Sequence, residues 1–372
     1  MSWPLVKLHE ICRPRQWKTI STSNLLEEGY PVYGANGKIG FYSEYTHEYA
    51  TLMITCRGAT CGNVHISEPR SYINGNAMAL DELDGERVDI GFLYYYLLGR
   101  GFDDVISGSA QPQITGQGLT KIEVPLPPLS EQKRIAAILD KADAIRRKRQ
   151  QAIQLADDFL RAVFLDMFGD PVTNPKGWEV RLSGELFSVP PRIGTTTPAD
   201  GQGCLVVRVG EIGKQDINFS KCGRAQLKDS ELERFILHSG DTVLARAIGS
   251  KSQLGKASFF SGYSESVYID SHVMRLRPNV KICNPEWFYR FISSDGGKSL
   301  LQKAGGETAV QFNINAKQAA SLSIPLPPIE LQNEFITFSQ KYSKNKAHLS
   351  RQAGDFEMLF SSLSQKAFSG QL

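Results

Sequence analysis

What this sequence lacks narrows the reading first. No apolar run approaches the roughly eighteen residues that cross a bilayer. The opening, MSWPLVKLHEICRPR, has no continuous apolar segment of the kind a signal peptide needs. A membrane protein and an exported protein are therefore not expected, and the expected compartment is cytoplasmic. Six cysteines, Cys12, Cys56, Cys61, Cys204, Cys222 and Cys283, are scattered along 372 residues. Without an export signal they are expected as reduced thiols.

Catalytic signatures are missing as well. A phosphate-cradling loop needs G-x-x-x-x-G-K-[ST]. GSKSQLGKA at Gly249–Ala257 has one residue too many and no hydroxyl after its lysine, and GGKS at Gly296–Ser299 lacks the leading glycine. Cys56, Cys61 and His65 form the one cluster with metal-ligand chemistry, and no second pair matches them, so no metal is expected. Asn284-Pro285-Glu286-Trp287 imitates the Asn-Pro-Pro-aromatic motif of adenine methyl transfer poorly. His238 and His272 have no evident nucleophile or carboxylate partner. No catalytic residue is assigned, and the sequence argues for binding.

Charge of one sign is scarce too. The formal net charge is +3, with 41% hydrophobic and 22% charged residues. Residues 1–128 carry 10 Lys/Arg against 14 Asp/Glu, and residues 171–328 carry 19 against 14. A polyanion would be gripped by local patches, or with help from a more basic partner.

What is present is written twice. VPLPPLSEQKRI at Val124–Ile135 returns 200 residues later as IPLPPIELQNEF from Ile324. Gln111 and Ile114 precede Gln311 and Ile314 by the same interval, and Phe168 in MFGDP precedes Phe368 in AFSGQL. Each half opens on a tryptophan: WPLVKL at Trp3–Leu8, WEVRL at Trp178–Leu182. Long periods of this kind mark an internal duplication.

After each proline cluster the pattern is helical. Ser130 suits an N-cap, with Glu131 well placed in the first turn. Ile135, Ile138, Ala142, Ile145, Ala152, Ala156, Phe159 and Val163 recur in steps of three and four around Arg149. The second copy gives Phe335, Phe338, Tyr342, Leu349, Phe356, Leu359 and Leu363, with Asn345 and Gln352 as polar breaks. A seam of period 3.5 over about four heptads points to a coiled coil, and the shared offset pairs the two helices with each other. Each would span roughly 55–60 Å, a spacer. A helix packed on its own domain is the alternative.

The remaining segments are β-rich with a few short helices. YPVYGANGKIGFY (Tyr30–Tyr42) has turn signals between β-formers, and TLMITCRGATCGNVHI (Thr51–Ile66) reads as strand, glycine turn, strand. DTVLARAIGSKSQLGKASFF (Asp241–Phe260) repeats that order. IGFLYYYLLGR (Ile90–Arg100) and PEWFYRFISS (Pro285–Ser294) read as buried helices in corresponding places. The expected fold is α+β: two pseudo-twofold-related β-rich domains, residues 1–128 and 171–328, separated by a long antiparallel two-helix coiled coil from residues 129–170 and 329–372. Twofold pseudosymmetry matches a target with two half-sites.

PLPPLSEQKRIAAIL, a seam-bearing helix ending in MFGD, the second PLPP and the terminal AFSGQL together resemble the specificity subunit of a type I restriction–modification enzyme over the whole chain. YPVYGANGKIGFY and ARAIGSKSQLGKA also resemble recurring patterns of that family's target-recognition domains. The resemblance implies a non-catalytic reader of double-stranded DNA with a bipartite, asymmetric, gapped target. It implies two methyltransferase subunits bringing S-adenosylmethionine to methylate adenine. Motor-nuclease subunits using ATP and Mg would join them for restriction. The acidic first domain suggests that the methyltransferase subunits supply much of the phosphate attraction, and Asn345 and Gln352 would weaken the helix seam.

Base edges are read by Arg, Lys, Asn and Gln, with Ser and Thr as secondary contacts. In the first domain the candidates are Asn36, Lys38, Arg57, Thr60, Asn63, Gln111 and Gln113. In the second they are Arg208, Arg246, Ser250, Lys251, Gln311, Asn313 and Lys317. RRKR at Arg146–Arg149 would meet phosphate, a partner subunit or solvent. Rival readings are a specificity subunit of a methylation system without a motor, a coiled-coil adaptor between proteins, and a self-sufficient enzyme.

Overall fold

Prolines at 125, 127 and 128, repeated at 325, 327 and 328, separate two kinds of structure. The structure, a computed structural model, describes residues 3–35, 37–108, 111–213, 216–248, 255–307 and 312–372. Among the described residues, nine strands lead up to and into the first cluster: β1 Leu5–Lys7, β2 Arg13–Gln16, β3 Tyr30–Gly34, β4 Gly37–Tyr42, β5 Leu52–Thr55, β6 Val64–Ile66, β7 Tyr72–Ile73, β8 Ala77–Asp81 and β9 Glu123–Pro125. With them are helices α1 Ile90–Arg100 and α2 Gly116–Leu119, and α3 Leu129–Phe168 follows. The second half has β10 Val180–Leu182, β11 Phe187–Ile193, β12 Cys204–Val207, β13 Gly223–Ala225, α4 Asp229–Phe235, β14 Asp241–Ala245, β15 Ala247–Ile248 and β16 Ala257–Phe260. It continues with β17 Val267–Ile269, β18 Val273–Pro278, α5 Pro285–Ser293, α6 Asp295–Ala304, β19 Gly306–Glu307, β20 Phe312–Asn313, α7 Ala316–Ala320, β21 Ser323–Pro325 and α8 Ile329–Phe368.

The repeated phrases meet in space. The tryptophan-led opening β1 pairs antiparallel with β9, Leu5 opposite Pro125, and β10 pairs with β21, Val180 opposite Pro325. A strand end in a two-stranded ladder tolerates proline because its nitrogen owes no central hydrogen bond. The helix then starts at Leu129, one residue ahead of the expected cap. Ser130 lies inside the first turn, and the Pro128 carbonyl accepts from the N–H groups of Glu131 (2.8 Å) and Gln132 (3.0 Å).

The chain divides into two compact units, residues 1–153 with 348–372, and residues 154–347. In the first, β2–β8–β5–β6 form an antiparallel four-stranded sheet and β4–β3–β7 a three-stranded one with β3 and β7 parallel. Ile54, Val64, Met78 and Leu80 bury the inner face of the larger sheet against Leu93 and Leu97 of α1. The second unit repeats the plan: β11–β18–β14–β16 antiparallel, and β13–β12–β17 with β12 and β17 parallel. There Leu244, Ala257, Met274 and Leu276 pack against α5 through Trp287, Phe288 and Phe291. Two central strands show what is kept. AMALD (Ala77–Asp81) and VMRLR (Val273–Arg277) share the Met and Leu that face the helix, while Ala79 and Asp81 give way to Arg275 and Arg277 on the other face.

One buried glutamine ties each junction together. Gln132 is fully buried. Its Nε2 donates to the carbonyls of Pro127 (2.8 Å) and Arg87 (2.8 Å), and its Oε1 accepts from the Asp89 N–H (2.9 Å). Asp89 is itself the N-cap of α1, accepting from the Phe92 N–H. In the second unit Gln332 donates to Pro327 (2.8 Å) and Ile282 (3.5 Å) and accepts from the N–H of Asn284 (2.8 Å), the N-cap of α5. Asn284-Pro285-Glu286-Trp287 is thus a helix start, with the Asn284 carboxamide oxygen accepting from Glu286 and Trp287 N–H.

The long helices α3 and α8 touch each other, but the buried line along them departs in places from the expected frame. Within the first unit, Ile135, Leu139 and Asp143 of α3 are buried, with Arg146 and Arg149 half-buried after them. In the second unit the line continues through Ala156, Leu160 and Phe164 to Phe168. Ile145 is 43% exposed, while Phe159, although 48% exposed, keeps the expected contact of its ring with Phe338 and Tyr342 of α8. Adjacent apolar pairs, Ile138-Leu139 and Phe159-Leu160, satisfy either order of threes and fours, so the pattern alone did not choose. The same shift places Asn345 and Gln352 on the exposed face of α8. They do not interrupt its seam, which removes the expected weakness.

Inside each unit the helices run antiparallel. In the first, Arg149 lies over the Phe356 ring (4.8 Å) and Arg146 over Phe360 (5.4 Å). In the second, Phe159 meets Tyr342 (5.5 Å), Phe164 meets Phe335 (5.4 Å), and Asp157 pairs with Lys346. Each helix also packs on the aromatic helix of its unit, so both contacts foreseen as alternatives occur. Ile135, Leu139, Phe360 and Phe368 surround Phe92 and Tyr95 in the first unit, and Phe168 packs on Trp287 in the second. RRKR serves this frame: Arg146 and Arg147 both grip the buried Asp143, and Arg146 also reaches Glu357 (3.3 Å).

Replacing Gln132 by Leu should strand the Asp89 N–H and two carbonyls, costing on the order of 2–4 kcal/mol in urea unfolding, and Gln332→Leu should behave alike. The frame is testable separately. Leu139→Ala should cost about 2–5 kcal/mol, while Ile145→Lys should stay within about 0.5 kcal/mol.

Candidate nucleic-acid interface

In the first unit, three chain segments converge at one end of the sheets, and hydroxyl chemistry fastens them. The Ala35 carbonyl at the tip of the β3–β4 hairpin accepts from Thr55 Oγ1 (2.7 Å) and Thr60 Oγ1 (3.2 Å). The loop from Thr55 to Asn63 closes on itself: the Thr55 N–H donates to the Asn63 carbonyl and the Gly62 N–H to the Thr55 carbonyl, both at 2.8 Å. Gly58 and Gly62 sit at φ +86° and +94°, where an L side chain is strained. The third segment joins by a bridge between Arg57 and Gln113, while Gln113 exchanges both backbone bonds with Ser107 at 2.9 Å.

Arg57, Asn63 and Gln113 are exposed on this assembly, and among the described residues their side chains make no hydrogen bond or ion pair. Thr60 is used structurally at Ala35. Lys38 stands beside the same hairpin tip, but its ammonium pairs with Glu68 (3.2 Å) and lies over Phe41 (4.7 Å), so part of its charge is already spent. Gln111 is exposed two residues before Gln113. Asn36 lies outside the described residues.

His65, on β6 under the hairpin tip, has Nε2 buried without a partner among the described residues. Burial holds its pKa below the usual imidazole value. Cys56 is buried, its Sγ accepting from Gln16 Nε2 (3.0 Å), and burial pushes that thiol up.

The second unit places the equivalent segments alike with different side chains. Arg246 stands where Cys56 does. The Cys56 N–H donates to Asn76 and its carbonyl accepts from Ile114, just as Arg246 N–H donates to His272 (3.0 Å) and its carbonyl accepts from Ile314 (2.9 Å). Arg246 is not a free base reader. Its guanidinium donates to the Ser271 carbonyl (2.8 Å), the Ile314 carbonyl (3.3 Å) and Asn313 Oδ1 (2.7 Å). Burial pulls its pKa down, with Asp270 acting in opposition. Two residues proposed separately from the sequence thus form one constellation.

Arg208 leaves the end of β12 and bonds Glu211 at 3.2 Å. Lys317 is exposed on α7, whose N-terminus Asn315 caps. Ser250, Lys251 and Gln311, with most of the GSKSQLGKA loop, lie outside the described residues. Sequence reasoning missed Thr55 and Ser271, which hold the loops. Neither carries a local signal, since each acts through a contact distant in sequence.

Residues 2–155 match the family model described as the type I restriction modification DNA specificity domain. That match covers less than half of the chain, which is similar to the family over this segment. The EcoprrI specificity subunit of Escherichia coli is 32% identical over 143 residues, 37% of this chain and 35% of that protein. The EcoBI specificity subunit of the same organism is 22% identical along 404 aligned positions, covering 99% of this chain and 80% of the relative. The matched stretches span only 35% and 38% of the first two specificity subunits compared. Among solved structures, the crystal structure of the type I restriction–modification S subunit from M. genitalium superposes with a TM-score of 0.58 at 14% identity, covering 99% of this chain and 96% of that one. A structure from work on complex assembly and conformational transition of the type I system gives 0.55 at 16% identity, covering 100% of this chain and 98% of that one. Both likenesses show a shared mixed α+β fold.

The His65 environment predicts an acid-sensitive stability term. Unfolded imidazole protonates near about 6.5, and the folded group protonates lower, so the unfolded state binds more protons there. Stability therefore falls as pH drops through that value. Melting temperature should decline between about pH 7.5 and about pH 5.5, and His65→Asn should flatten the decline.

Proposed function

We propose that this chain is the non-catalytic, sequence-reading subunit of a type I restriction–modification complex. In this reading the exposed loops of each unit meet one half of a bipartite, asymmetric DNA target, and partner methyltransferase subunits modify adenine in each half. S-adenosylmethionine would reside on those partners, and ATP and Mg on motor-nuclease subunits that restrict unmodified DNA. The observation that carries the reading is one strand order used twice beneath different loops: Cys56 and Gln113 in one copy stand where Arg246 and Asn313 stand in the other. Two frames of one design with different reading groups suit two half-sites of different sequence.

The finer reading is that α3 and α8 form a ruler that sets the unspecified gap between half-sites. Their antiparallel packing inside each unit and the 200-residue repetition of the seam support it. Arg57, Asn63, Gln111 and Gln113 are the proposed readers of the first half-site, with Lys38 and Thr60 beside them. Arg208, Asn313 and Lys317 belong to the second, together with Ser250, Lys251 and Gln311.

The decisive experiment sequences modified bases in a host genome with this chain co-expressed beside its methyltransferase subunit. Adenine methylation at an asymmetric, gapped motif that vanishes without this chain is the expected result. Ungapped methylation, or none that depends on the chain despite a stable complex, would favour an adaptor. In the same complex, Arg57→Ala should weaken DNA binding uniformly and lower the salt slope by about one if it contacts phosphate. It should relax a single base position if it reads an edge.

A further inference from the structure

The Arg246–Asn313 contact fixes which half of an amide is offered outward. A guanidinium has donors and no acceptor. The atom of Asn313 within 2.7 Å of Arg246 Nη2 must therefore be the carbonyl oxygen, whichever way the amide would otherwise turn. Arg246 cannot swing away easily, because the same group also holds the carbonyls of Ser271 and Ile314. Asn313 is half-buried and held in the short ladder where β20 pairs with β15 and β19. Among the described residues its amide nitrogen has no partner, so the two N–H groups are what it has left to offer.

We propose that Arg246 is a positioning residue that converts Asn313 into a hydrogen-bond donor, so that the second unit selects a base edge presenting acceptors where Asn313 meets DNA. The inference rests on the DNA-reading function proposed above. In the major groove guanine offers N7 and O6 and thymine offers O4, whereas adenine recognition by asparagine uses the carbonyl together with the amide nitrogen. With its carbonyl turned into the protein, Asn313 can give adenine only one bond, at N7, whereas guanine accepts at both N7 and O6, so guanine is favoured over adenine. The first unit lacks this device. Cys56 occupies the place of Arg246, and the exposed Gln113 keeps both ends of its amide, so adenine is readable there. One substitution in an otherwise repeated frame thereby makes the two half-sites chemically unequal.

The test uses the complex of this chain with its methyltransferase subunit and duplexes carrying each of the four bases at every position of the second unit's half-site. The wild-type complex should prefer guanine over adenine at one position. Asn313→Asp keeps an acceptor for Arg246 but has no N–H, and should lose that preference by about tenfold at that position alone. Arg246→Met should admit adenine at the same position. Because removing a half-buried arginine that holds two carbonyls can unfold the unit, Asn313→Ser and melting curves accompany it. Unchanged base preference in Asn313→Asp, with the wild-type complex still methylating a defined motif, overturns the donor assignment and leaves the DNA-reading function standing. Sequence-independent behaviour of the wild-type complex overturns both.

Discussion

A single glutamine side chain, used twice, decides how a recognition frame joins its long helix. Gln132 and Gln332 each bridge the proline junction, the segment before the aromatic helix, and that helix's N-cap residue, all away from water. The prolines make this necessary. They remove N–H groups, leave carbonyls without local partners, and point the chain out of the edge ladder. A buried carboxamide answers both needs, donating to the orphaned carbonyls and accepting from the N–H at the start of α1 or α5. Burying an amide costs free energy unless its hydrogen bonds are made. The geometry of the junction is therefore narrowly specified in both copies.

That junction lets the rest of each unit diverge. The Met-x-Leu pair of β8 and β18 faces the aromatic helix in both copies, and the strand order is the same. On the opposite face the requirements relax. Asp81 takes hydrogen bonds from Trp17 (3.1 Å) and His47 (2.9 Å), while Arg277 in the equivalent place makes a bidentate pair with the buried Asp241 (2.6 and 2.7 Å). Two unlike polar solutions occupy one position because each is fully partnered, which is all a low-dielectric interior demands. The same freedom at the loop end produces Cys56 in one copy and Arg246 in the other.

Much of the architecture was legible in advance. The aromatic helices, the glycine-turn hairpins and the two forty-residue helices follow from apolar periodicity and turn chemistry. The frame of the helix seam did not, because Ile138-Leu139 and Phe159-Leu160 offer an apolar residue to either assignment. At Ile145-Arg146 the structure takes the arginine, its stem lying over Phe360 and its charge on Asp143, against any rule of thumb that would bury the isoleucine. Of the site, Arg57, Asn63 and Gln113 were foreseen and are exposed on joined loops. Lys38 and Arg246 were foreseen as readers, yet they are engaged by Glu68 and by Asn313 with two carbonyls.

The sequence by itself determined the duplication, the helix and strand content, and the resemblance to DNA specificity subunits, since these rest on local periodicity and on phrases repeated at a fixed interval. Only the tertiary structure decided which polar side chains are left to meet a ligand. That depends on acceptors far along the chain: Ser271 and Ile314 for Arg246, Ala35 for Thr55 and Thr60, Arg87 for Gln132. A polar residue's type announces what it can bond. Its availability is set by what folding places within hydrogen-bond reach.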